Sequence, residues 1–407
     1  SKSQQISYDA SQKDPDPANR RAARDAMHGE IRNIFESMMA LKLVYPHQAE
    51  RGKTNPAIGL IKWKFLPDLT LDKVKARIAL GGDRQDRSQF EDFDLSSPTA
   101  SDYAFMCILN MVTLFGWNVL VMDIKSAFLH ADMRDPQGKI YMKFGQRISA
   151  EIIFLYPEYE KYKDEKGCIY TEVLKAMYGS IQAARLWYEH LTRVFIEIGF
   201  EINKFDHATL VKVEKHNFAI AVLHVDDIWL TGNNAEMIKE IRAEIEGRFS
   251  GTKVQEGPTY DYLGRRITVN KGDTTISMTG IIEKWIAGAD AKIGESSNTP
   301  HHQNIFEIDP SSKKLTEEEA KIFHSSVAQG QWIAQRARPD FATVISFLAT
   351  RVQNPTQEDR SKLGKLLTYA KSTKAQMLHL QPKSLELEVF IDASHGIHHD
   401  RRGHTGV

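Results

Sequence analysis

The chain has 407 residues, of which 42% are hydrophobic and 26% charged, and this composition is ordinary for a globular protein of several domains or subdomains. Its 53 Lys and Arg balance 53 Asp and Glu, so the net charge neither supports nor excludes a nucleic-acid partner. Two cysteines cannot build a disulfide framework, and no apolar run approaches the roughly 20 residues that span a bilayer. These features argue against a secreted or membrane-inserted protein.

The N-terminal part divides into a polar leader, a helix and two strands. Residues 1–25 have little apolar content, which predicts a mobile leader. Apolar residues recur at helical spacing over 26–43 and predict one amphipathic helix. Residues 58–66 and 73–80 are typical of β-strands. Nine Lys or Arg against four Asp in residues 51–90 fit either a phosphate-facing surface or a solvated face.

Two later segments carry single features of interest. Residues 101–116 predict a helix, and the apolar strand that follows it ends close to Asp123. An isolated carboxylate there is costly to bury without a partner, so a bound cation is expected. The apolar positions between 173 and 200 predict one long amphipathic helix, with Gly179-Ser180 near its start as a point of close approach.

Residues 217–231 consist of two apolar runs that meet at Asp226 and Asp227, a pattern typical of a β-hairpin. Two adjacent ionised carboxylates repel each other unless a cation lies between them. The pair therefore indicates either a solvated turn or a metal site. Asn233, with Glu236 three residues later, marks the start of a further helix.

The three acids converge if their strands lie side by side in one sheet. Three carboxylates would suit two Mg²⁺ ions, because Mg²⁺ prefers hard oxygen ligands and leaves room for substrate phosphates. Two such ions activate an attacking hydroxyl and steady the leaving oxygen of an in-line phosphoryl displacement. The constellation predicts nucleotidyl transfer.

The C-terminal third changes character. Helix-start signals at Thr316 and Thr356 and the apolar segment 341–352 predict a helical subdomain over 274–383. From Leu385 onwards, apolar and polar residues alternate and predict a strand of a new sheet that reaches Asp392.

Several motifs, in the same order along the chain, resemble those of the reverse transcriptase of copia-type LTR retrotransposons. Residues 75–82 are similar to K-A-R-L-V-A-x-G, 123–130 to D-V-K-T-A-F-L-N, and 224–228 to Y-V-D-D-I. Residues 174–188 resemble L-x-K-A-L-Y-G-L-K-Q-A-P-R-L-W-Y. Smaller matches are 262–264 to F-L-G, 337–340 to T-R-P-D, and 392–394 with 401–406 to the opening of the family's RNase H domain.

The resemblance implies a role for each matching residue. Asp123, Asp226 and Asp227 become the catalytic carboxylates and metal ligands, with the carbonyl of Ile124 as a further ligand. Phe128 lies under the incoming sugar as a gate that rejects a 2′-OH. The other implied contacts are the dNTP at Lys75, Arg77, Gln182 and Arg185, the primer grip at Tyr262, Leu263 and Gly264, and an RNase H remnant at Asp392.

The implied fold is α+β, a right-hand polymerase with an antiparallel-sheet palm, fingers and a helical thumb. Because the remaining RNase H carboxylates would lie beyond Val407, the sequence as given is expected to lack RNase H activity. The corresponding segments are 26–105 and 131–175 for the fingers, 106–130 and 176–273 for the palm with primer grip, 274–383 for the helical thumb or connection, and 384–407 for a truncated start of an RNase H-like domain.

The implied cofactor is Mg²⁺, as two ions, with Mn²⁺ as a substitute. The implied partners are an RNA template, a DNA primer, the RNA/DNA duplex and dNTPs, with a structured primer RNA as a further candidate. An oligomer or a larger assembly is compatible with the sequence, and no membrane partner is expected. The expected location is intracellular, in the cytoplasm within a virus-like particle, in the nucleus, or in both.

Alternatives remain for residues and for function. Phe128 fits a core aromatic as well as a gate, Arg185 can pair with Glu189 one turn later, and Lys75 also fits a solvated strand. A host-adopted, catalytically idle fold that serves as an RNA-binding or scaffold subunit is the second functional interpretation, supported by His224 where the family has an aromatic residue. A DNA-templated polymerase is a third, because no residue separates RNA from DNA templates.

Overall fold

The computed structural model describes residues 5–65, 71–90, 95–136, 138–394, 396 and 404–406. These residues form a mixed fold of helices and sheets, in agreement with the predicted α+β class. None of the helices within these ranges is long and apolar enough to cross a membrane. The chain divides into two compact units, of which the first comprises Ser1–Ala100, Met122–Ile228 and Lys239–Lys253, and the second Ser101–Val121, Trp229–Ile238 and Val254–Val407.

The first unit contains a sheet that presents cations to one face. Its strands are β1 (Gln5–Ser7), β2 (Leu41–Val44), β3 (Thr54–Phe65), β4 (Leu71–Leu80), β6 (Tyr141–Phe144) and β7 (Ile169–Val173). Their order is β1-β3-β6-β7-β2, and β4 also pairs with β3. Lys62 lies opposite Lys75, and Lys64 opposite Lys73, across the antiparallel β3–β4 ladder.

Helices cover this sheet and form its core. They are α1 (Tyr8–Ser11), α2 (Pro17–Arg32) and α4 (Gln146–Leu155). Met27 and Ile31 of α2, Ile78 of β4 and Ile152 of α4 belong to one hydrophobic cluster in which each is fully buried. Burial of these side chains joins α2 and α4 to the strands that carry the basic residues.

The second sheet carries the three acids. Its strands are β5 (Asn118–Asp123), β8 (Glu201–Ile202), β9 (Thr209–Glu214), β10 (Asn217–His224), β11 (Asp227–Gly232) and β12 (Lys253–Glu256), in the order β12-β5-β11-β10-β9-β8. Neighbouring helices in the chain are α5 (Ala183–Glu197) and α6 (Ala235–Arg248). Because β5 and β11 are neighbours, the end of one and the start of the other bring Asp123 to the β10–β11 hairpin, as the sequence predicts.

The second unit combines a four-stranded sheet, order β13-β14-β15-β16, with helices. The strands are β13 (Thr259–Tyr262), β14 (Arg265–Thr268), β15 (Thr274–Ser277) and β16 (Leu378–Leu380). The helices are α3 (Asp102–Phe115), α7 (Thr279–Gly288), α8 (Glu317–Arg336), α9 (Ala342–Ala349) and α10 (Gln357–Ser372). Thr316 and Thr356 cap α8 and α10 in capping boxes with Glu319 and Asp359, which confirms the predicted starts.

Short elements complete the described chain. A two-stranded sheet pairs β17 (Asp392–Ser394) with β18 (His404–Gly406). A π-helical turn covers Asn33–Ser37, and 3₁₀ turns cover Pro46–Gln48, Arg51–Lys53, Gly82–Arg84, Arg87–Gln89, Ala127–His130, Pro157–Tyr162 and Pro339–Phe341.

The prediction of a mobile leader is wrong for residues 5–25, and residues 1–4 lie outside the described part. Strand β1 pairs with β3, and Tyr8 is only 1% exposed, with its hydroxyl donating to Glu151 Oε1 at 2.7 Å. Asp16 caps α2, and Pro17 occupies its first turn. The Asp-Pro dipeptides therefore start a helix, where proline is tolerated, rather than marking a loop.

Three predicted elements have different bounds. The helix predicted over 26–43 starts earlier, at Pro17, and the chain is extended from Leu41 onwards because β2 pairs with β7. The helix predicted over 173–200 begins only at Ala183, after an irregular segment in which Gly179 has φ +87°. The strand predicted from Leu385 is wrong, because 385–391 joins no sheet and Phe390 is 81% exposed.

Candidate active site

The three acids lie at the end of strand β5 and at the start of the neighbouring strand β11. Asp123 is the last residue of β5, and Asp226 follows Val225 in the turn between β10 and β11. Val225 has φ +57°, in the left-handed region that a β-branched residue rarely adopts. The backbone N–H of Ile124 donates to the carbonyl of Asp226 at 3.0 Å, so the turn is joined directly to the residue after Asp123.

The side chain of Trp187 forms a hydrogen bond with the same turn. Trp187, on α5 and 1% exposed, donates its indole N–H to the carbonyl of Val225 at 2.6 Å. Its ring packs edge-on against Phe249 at 5.4 Å and lies 6.1 Å from the ring of His130. The left-handed conformation costs about 1–2 kcal/mol, and one hydrogen bond contributes about 0.5–1.5 kcal/mol. The two hydrogen bonds together are therefore of the size needed to hold the turn.

The carboxylates influence one another electrostatically. Burial, followed by the negative charges of Asp226 and then Asp123, raises the pKa of Asp227 to about 6. Burial also raises the pKa of Asp226, as does the charge of Asp123, while its own backbone N–H, Arg77 and His224 act against the rise. The acids therefore lie close enough for each to disfavour ionisation of the next.

This donor set suits a divalent cation that is shared with a substrate. Across the described ranges, no group of three or more His, Cys, Asp or Glu side chains is arranged to hold a metal ion by itself. Mg²⁺ sites that bind phosphates commonly use only one or two carboxylates, and Asp123 keeps 43% of its side chain exposed. Mutual repulsion of half-buried carboxylates is the imbalance that a cation relieves, so Asp123 and Asp226 fit such an ion.

Cations line the approach to these acids. Lys253, at the start of β12, places its Nζ 3.9 Å from Asp123 Oδ2. Burial lowers the pKa of Lys75, and the charges of Lys64, Lys73, Lys253 and Arg77 lower it further. Lys253 is therefore near both the acids and the basic strands. No sequence pattern indicates this role, because a single Lys at the start of a short strand is common.

Phe128 lies on the 3₁₀ turn that follows the Asp123 strand. Its half-buried ring contacts that of Tyr178 at a centroid distance of 5.3 Å. The guanidinium of Arg77 lies 5.2 Å from the centroid of the same tyrosine ring. The residues predicted to meet the sugar and the triphosphate are thus brought together around Tyr178, which the sequence analysis did not single out as a site residue.

Gln182 is buried just before α5 and hydrogen-bonded to other side chains. It is 2% exposed, and its amide donates to Asp135 Oδ2 at 3.1 Å and accepts from Gln85 at 3.2 Å. A direct contact of this side chain with a nucleotide stays a prediction. Gln182 instead braces the loop before α5. Gln85, which also accepts from the N–H of Ile181 at 3.0 Å, is a supporting residue that the sequence did not reveal.

Arg185 takes the alternative role that the sequence allowed. Its Nε donates to Glu189 Oε1 at 2.8 Å, one helical turn later, and only 13% of its side chain is exposed. Glu189 also accepts from Arg134 at 2.5 Å. The structure thus shows the predicted ion pair, and a nucleotide contact of Arg185 stays a prediction.

The predicted primer grip forms the tip of the β13–β14 hairpin in the second unit. Tyr262 is 1% exposed and packs against Phe105 at 5.1 Å, so it supports the hairpin from inside. Leu263 and Gly264 have φ +48° and +77°, and a Cβ on Gly264 would lie 2.7 Å from the ring of Trp332. Only the tip of this segment is open to a ligand.

The predicted RNase H remnant is described in part. Asp392 begins β17, opposite Gly406 of β18, and is exposed. The matching residues 401–403 lie outside the described part of the chain. The assignment of 384–407 to an RNase H-like domain stays a prediction.

Comparison with known proteins gives a family match. A family model described as reverse transcriptase (RNA-dependent DNA polymerase) matches residues 52–303, more than half of the chain. The putative transposon Ty5-1 protein of Saccharomyces cerevisiae is 26% identical over 291 residues, which cover 70% of this chain and 87% of that protein.

Two plant proteins are similar over a longer stretch. The retrovirus-related Pol polyprotein from transposon TNT 1-94 of Nicotiana tabacum is 24% identical over 82% of this chain, and the one from transposon RE1 of Arabidopsis thaliana is 24% identical over 81%. The matched region spans only 24% and 21% of those polyproteins. A solved structure of apo telomerase from Candida tropicalis aligns over 61% of this chain and 59% of its own, at 11% identity and a TM-score of 0.32, which is too low to support an argument.

The electrostatic coupling of the acids predicts the pH at which Asp227 loses its proton. Asp227 is expected to titrate near pH 6 in the absence of divalent cations, and Asp226→Asn should lower that midpoint because it removes a neighbouring negative charge. Since the pKa of the folded state exceeds the roughly 3.9 of an unfolded chain, ionisation of Asp227 reduces stability as the pH rises from about 4 through 6. Carboxyl ¹³C NMR of labelled aspartate measures the midpoint.

The control is Asp9→Asn, which makes the same charge change at an exposed side chain paired with Arg147. It should leave the Asp227 midpoint unchanged. A wild-type midpoint near pH 4, or one that Asp226→Asn does not move, would contradict the coupling.

Proposed function

This chain belongs to the reverse transcriptase (RNA-dependent DNA polymerase) family of copia-type retrotransposons, and we propose that it extends a DNA primer on an RNA template with dNTPs. The observation that carries the proposal is that neighbouring strands β5 and β11 bring Asp123 beside Asp226 and Asp227, with the N–H of Ile124 bonded to the carbonyl of Asp226. The family match alone would also fit an inactive descendant, whereas the coupled acids are the chemistry that nucleotidyl transfer needs.

The proposed architecture is that of a right-hand polymerase. The first sheet with α2 and α4 would form the fingers, the second sheet with α5 and α6 the palm, and helices α7 to α10 the thumb. Support comes from the chain order of these elements and from the acids on the second sheet. Template, primer and RNA/DNA duplex are the proposed partners, and a structured primer RNA and a larger assembly are further candidates.

Asp123 and Asp226 would hold Mg²⁺ as two ions, with Mn²⁺ as a substitute, and Asp227 and the Ile124 carbonyl are proposed to assist. The chemistry supplied by the bound ions is activation of the primer 3′-OH and stabilisation of the pyrophosphate that leaves from the α-phosphate. The contribution of the chain is preorganisation. The hydrogen bonds from Ile124 and Trp187 fix the hairpin before substrate arrives, so little reorganisation is left for the reacting complex.

The basic strands would receive the triphosphate. Arg77 and Lys75 are exposed on β4, and burial, followed by neighbouring cations that include Lys64 and Lys73, lowers the pKa of Lys75. Like charges on facing strands destabilise a ladder unless an anion lies over them. A triphosphate bound there would offset this repulsion and bring its α-phosphate toward the acids. Phe128 would then lie under the sugar.

The scaffold interpretation is not favoured. A protein that only binds RNA gains nothing from burying Asp226 and Asp227 beside Asp123, because burial and the neighbouring negative charges raise the pKa of Asp226 and Asp227, and their ionisation reduces stability at neutral pH. Such an arrangement is typical of catalytic sites, where a cation or a substrate relieves it.

Primer extension tests the proposal. With poly(rA)/oligo(dT), dTTP and Mg²⁺, the full chain should make DNA, and Asp226→Asn should reduce kcat by at least about 100-fold because a charged ligand is lost from the reacting centre. The control Asp261→Asn alters a carboxylate that is 71% exposed and should keep the wild-type rate. No extension by the wild type, or full extension by Asp226→Asn, would overturn the proposal.

Sugar selectivity tests the placement of Phe128. Phe128→Val should admit a 2′-OH and reduce the ratio of kcat/KM for dTTP over the ribonucleotide by roughly 10- to 100-fold, because a pocket contact that excludes one hydroxyl is worth about this factor. Phe205→Val, at a fully exposed side chain, is the control. An unchanged ratio would remove Phe128 from the gate.

A further inference from the structure

Tyr178 belongs to a point where two chain segments touch. The N–H of Leu80, at the end of β4, donates to the carbonyl of Tyr178 at 2.6 Å. A Cβ on Gly179 would lie 2.3 Å from the carbonyl oxygen of Leu80, and one on Gly82 would lie 2.0 Å from that of Gly179. Because only glycine permits this approach, the backbone at Tyr178 and the end of β4 form a close joint.

The side chain of Tyr178 lies between two residues of the proposed nucleotide site. Its ring is 5.3 Å from that of Phe128, at an interplanar angle of 56°, and the guanidinium of Arg77 is 5.2 Å from its centroid. Tilted aromatic pairs and cations over a ring are both attractive. One ring therefore limits the movement of both the proposed sugar gate and the proposed phosphate-binding arginine.

The hydroxyl of Tyr178 adds a third connection. The side chain of Ser126 lies close enough to lower the pKa of this hydroxyl, and Ser126 Oγ accepts a hydrogen bond from Asn33 Nδ2 at 3.2 Å. Ser126 has φ +56° and directly precedes the 3₁₀ turn that carries Phe128. Burial, followed by the charge of Glu30, raises the pKa of Tyr178 to about 12, so the hydroxyl keeps its proton at neutral pH.

We propose that Tyr178 is a positioning residue that sets sugar selectivity, because it holds the Phe128 ring and the Arg77 guanidinium in one fixed arrangement. A gate excludes a 2′-OH only if its ring cannot move aside. Phe128 is half-buried on a short turn, and its ring contact with Tyr178 restrains it on the side of β4. The proposal rests on the DNA synthesis proposed above.

Two substitutions separate the ring from the hydroxyl. Tyr178→Leu removes the ring contacts, and Tyr178→Phe removes only the hydroxyl that lies near Ser126. The matched control is Tyr170→Leu, which changes a half-buried tyrosine with Lys143 over its ring at 5.0 Å and its hydroxyl bonded to Asp164 at 3.0 Å. The measurement is kcat and KM of the full chain on poly(rA)/oligo(dT), with dTTP and with ribothymidine triphosphate.

Tyr178→Leu should reduce the ratio of kcat/KM for dTTP over the ribonucleotide by about tenfold and raise KM for dTTP, since Arg77 loses its support. Tyr178→Phe should retain most of the selectivity, and Tyr170→Leu all of it. Both substrates are measured on the same folded protein, so a loss of stability alone would not move the ratio.

The inference is overturned if Tyr178→Leu keeps the wild-type ratio, or if Tyr170→Leu lowers the ratio equally. If either result is obtained while the wild-type chain extends the primer and prefers dTTP, the proposed function stands and only the role of Tyr178 is overturned. Wild-type chain that makes no DNA overturns the proposed function, and this inference with it. Should Tyr178→Leu fail to fold, Tyr178→Met provides the same test of ring removal.

Discussion

The hairpin turn at Val225 is the constraint on which the candidate site depends. Val225 adopts a left-handed conformation that its branched side chain disfavours, and the turn is held by the indole of Trp187 and by the N–H of Ile124. Relaxation of this turn would withdraw Asp226 from Asp123 and remove the electrostatic coupling between them. Backbone strain is thus stored where the acids meet, as is common at functional sites.

The candidate site combines a group of acids with a group of cations. Half-buried acids on one sheet face a set of cations on β3, β4 and β12, and each group suffers repulsion within itself. Lys253 approaches Asp123 to 3.9 Å at an exposed position, where solvent weakens their attraction. Under the proposed function, a phosphate chain and its counter-cations would bind between the two groups and relieve the repulsion within each. The ligands of the proposed reaction would thus stabilise the site.

Local patterns predicted the elements that hold the acids. The apolar run before Asp123, the two runs around Asp226 and the capping boxes at Thr316 and Thr356 all depend on neighbours in the sequence, and the structure confirms them. The burial of residues 5–25 depends on Glu151 and on β3, which are distant in sequence. Asp-Pro signals consequently suggested a mobile leader.

Side-chain roles were harder to predict for the same reason. Gln182 matched a motif, yet its amide is hydrogen-bonded to Asp135 and Gln85, which are 47 and 97 residues away along the chain. A local motif contains no information about partners at such distances. Tyr178 and Lys253 gained significance only from what the fold places beside them. The alternation of apolar and polar residues after Leu385 is typical of a strand, but a strand also requires a partner. Residues 385–391 pair with no strand in the described part of the chain, so the prediction is wrong there.

The most direct test of this account is the single-turnover rate of primer extension by Trp187→Phe at saturating duplex and dTTP. Phenylalanine keeps an aromatic ring against Phe249 but cannot donate to Val225, so the rate should fall at least about tenfold through misplacement of Asp226. Trp285→Phe loses a comparable buried indole hydrogen bond to Ser326 and should keep the wild-type rate. A wild-type rate for Trp187→Phe, or equal losses in both variants, would contradict the claim that the strained hairpin positions the catalytic acid.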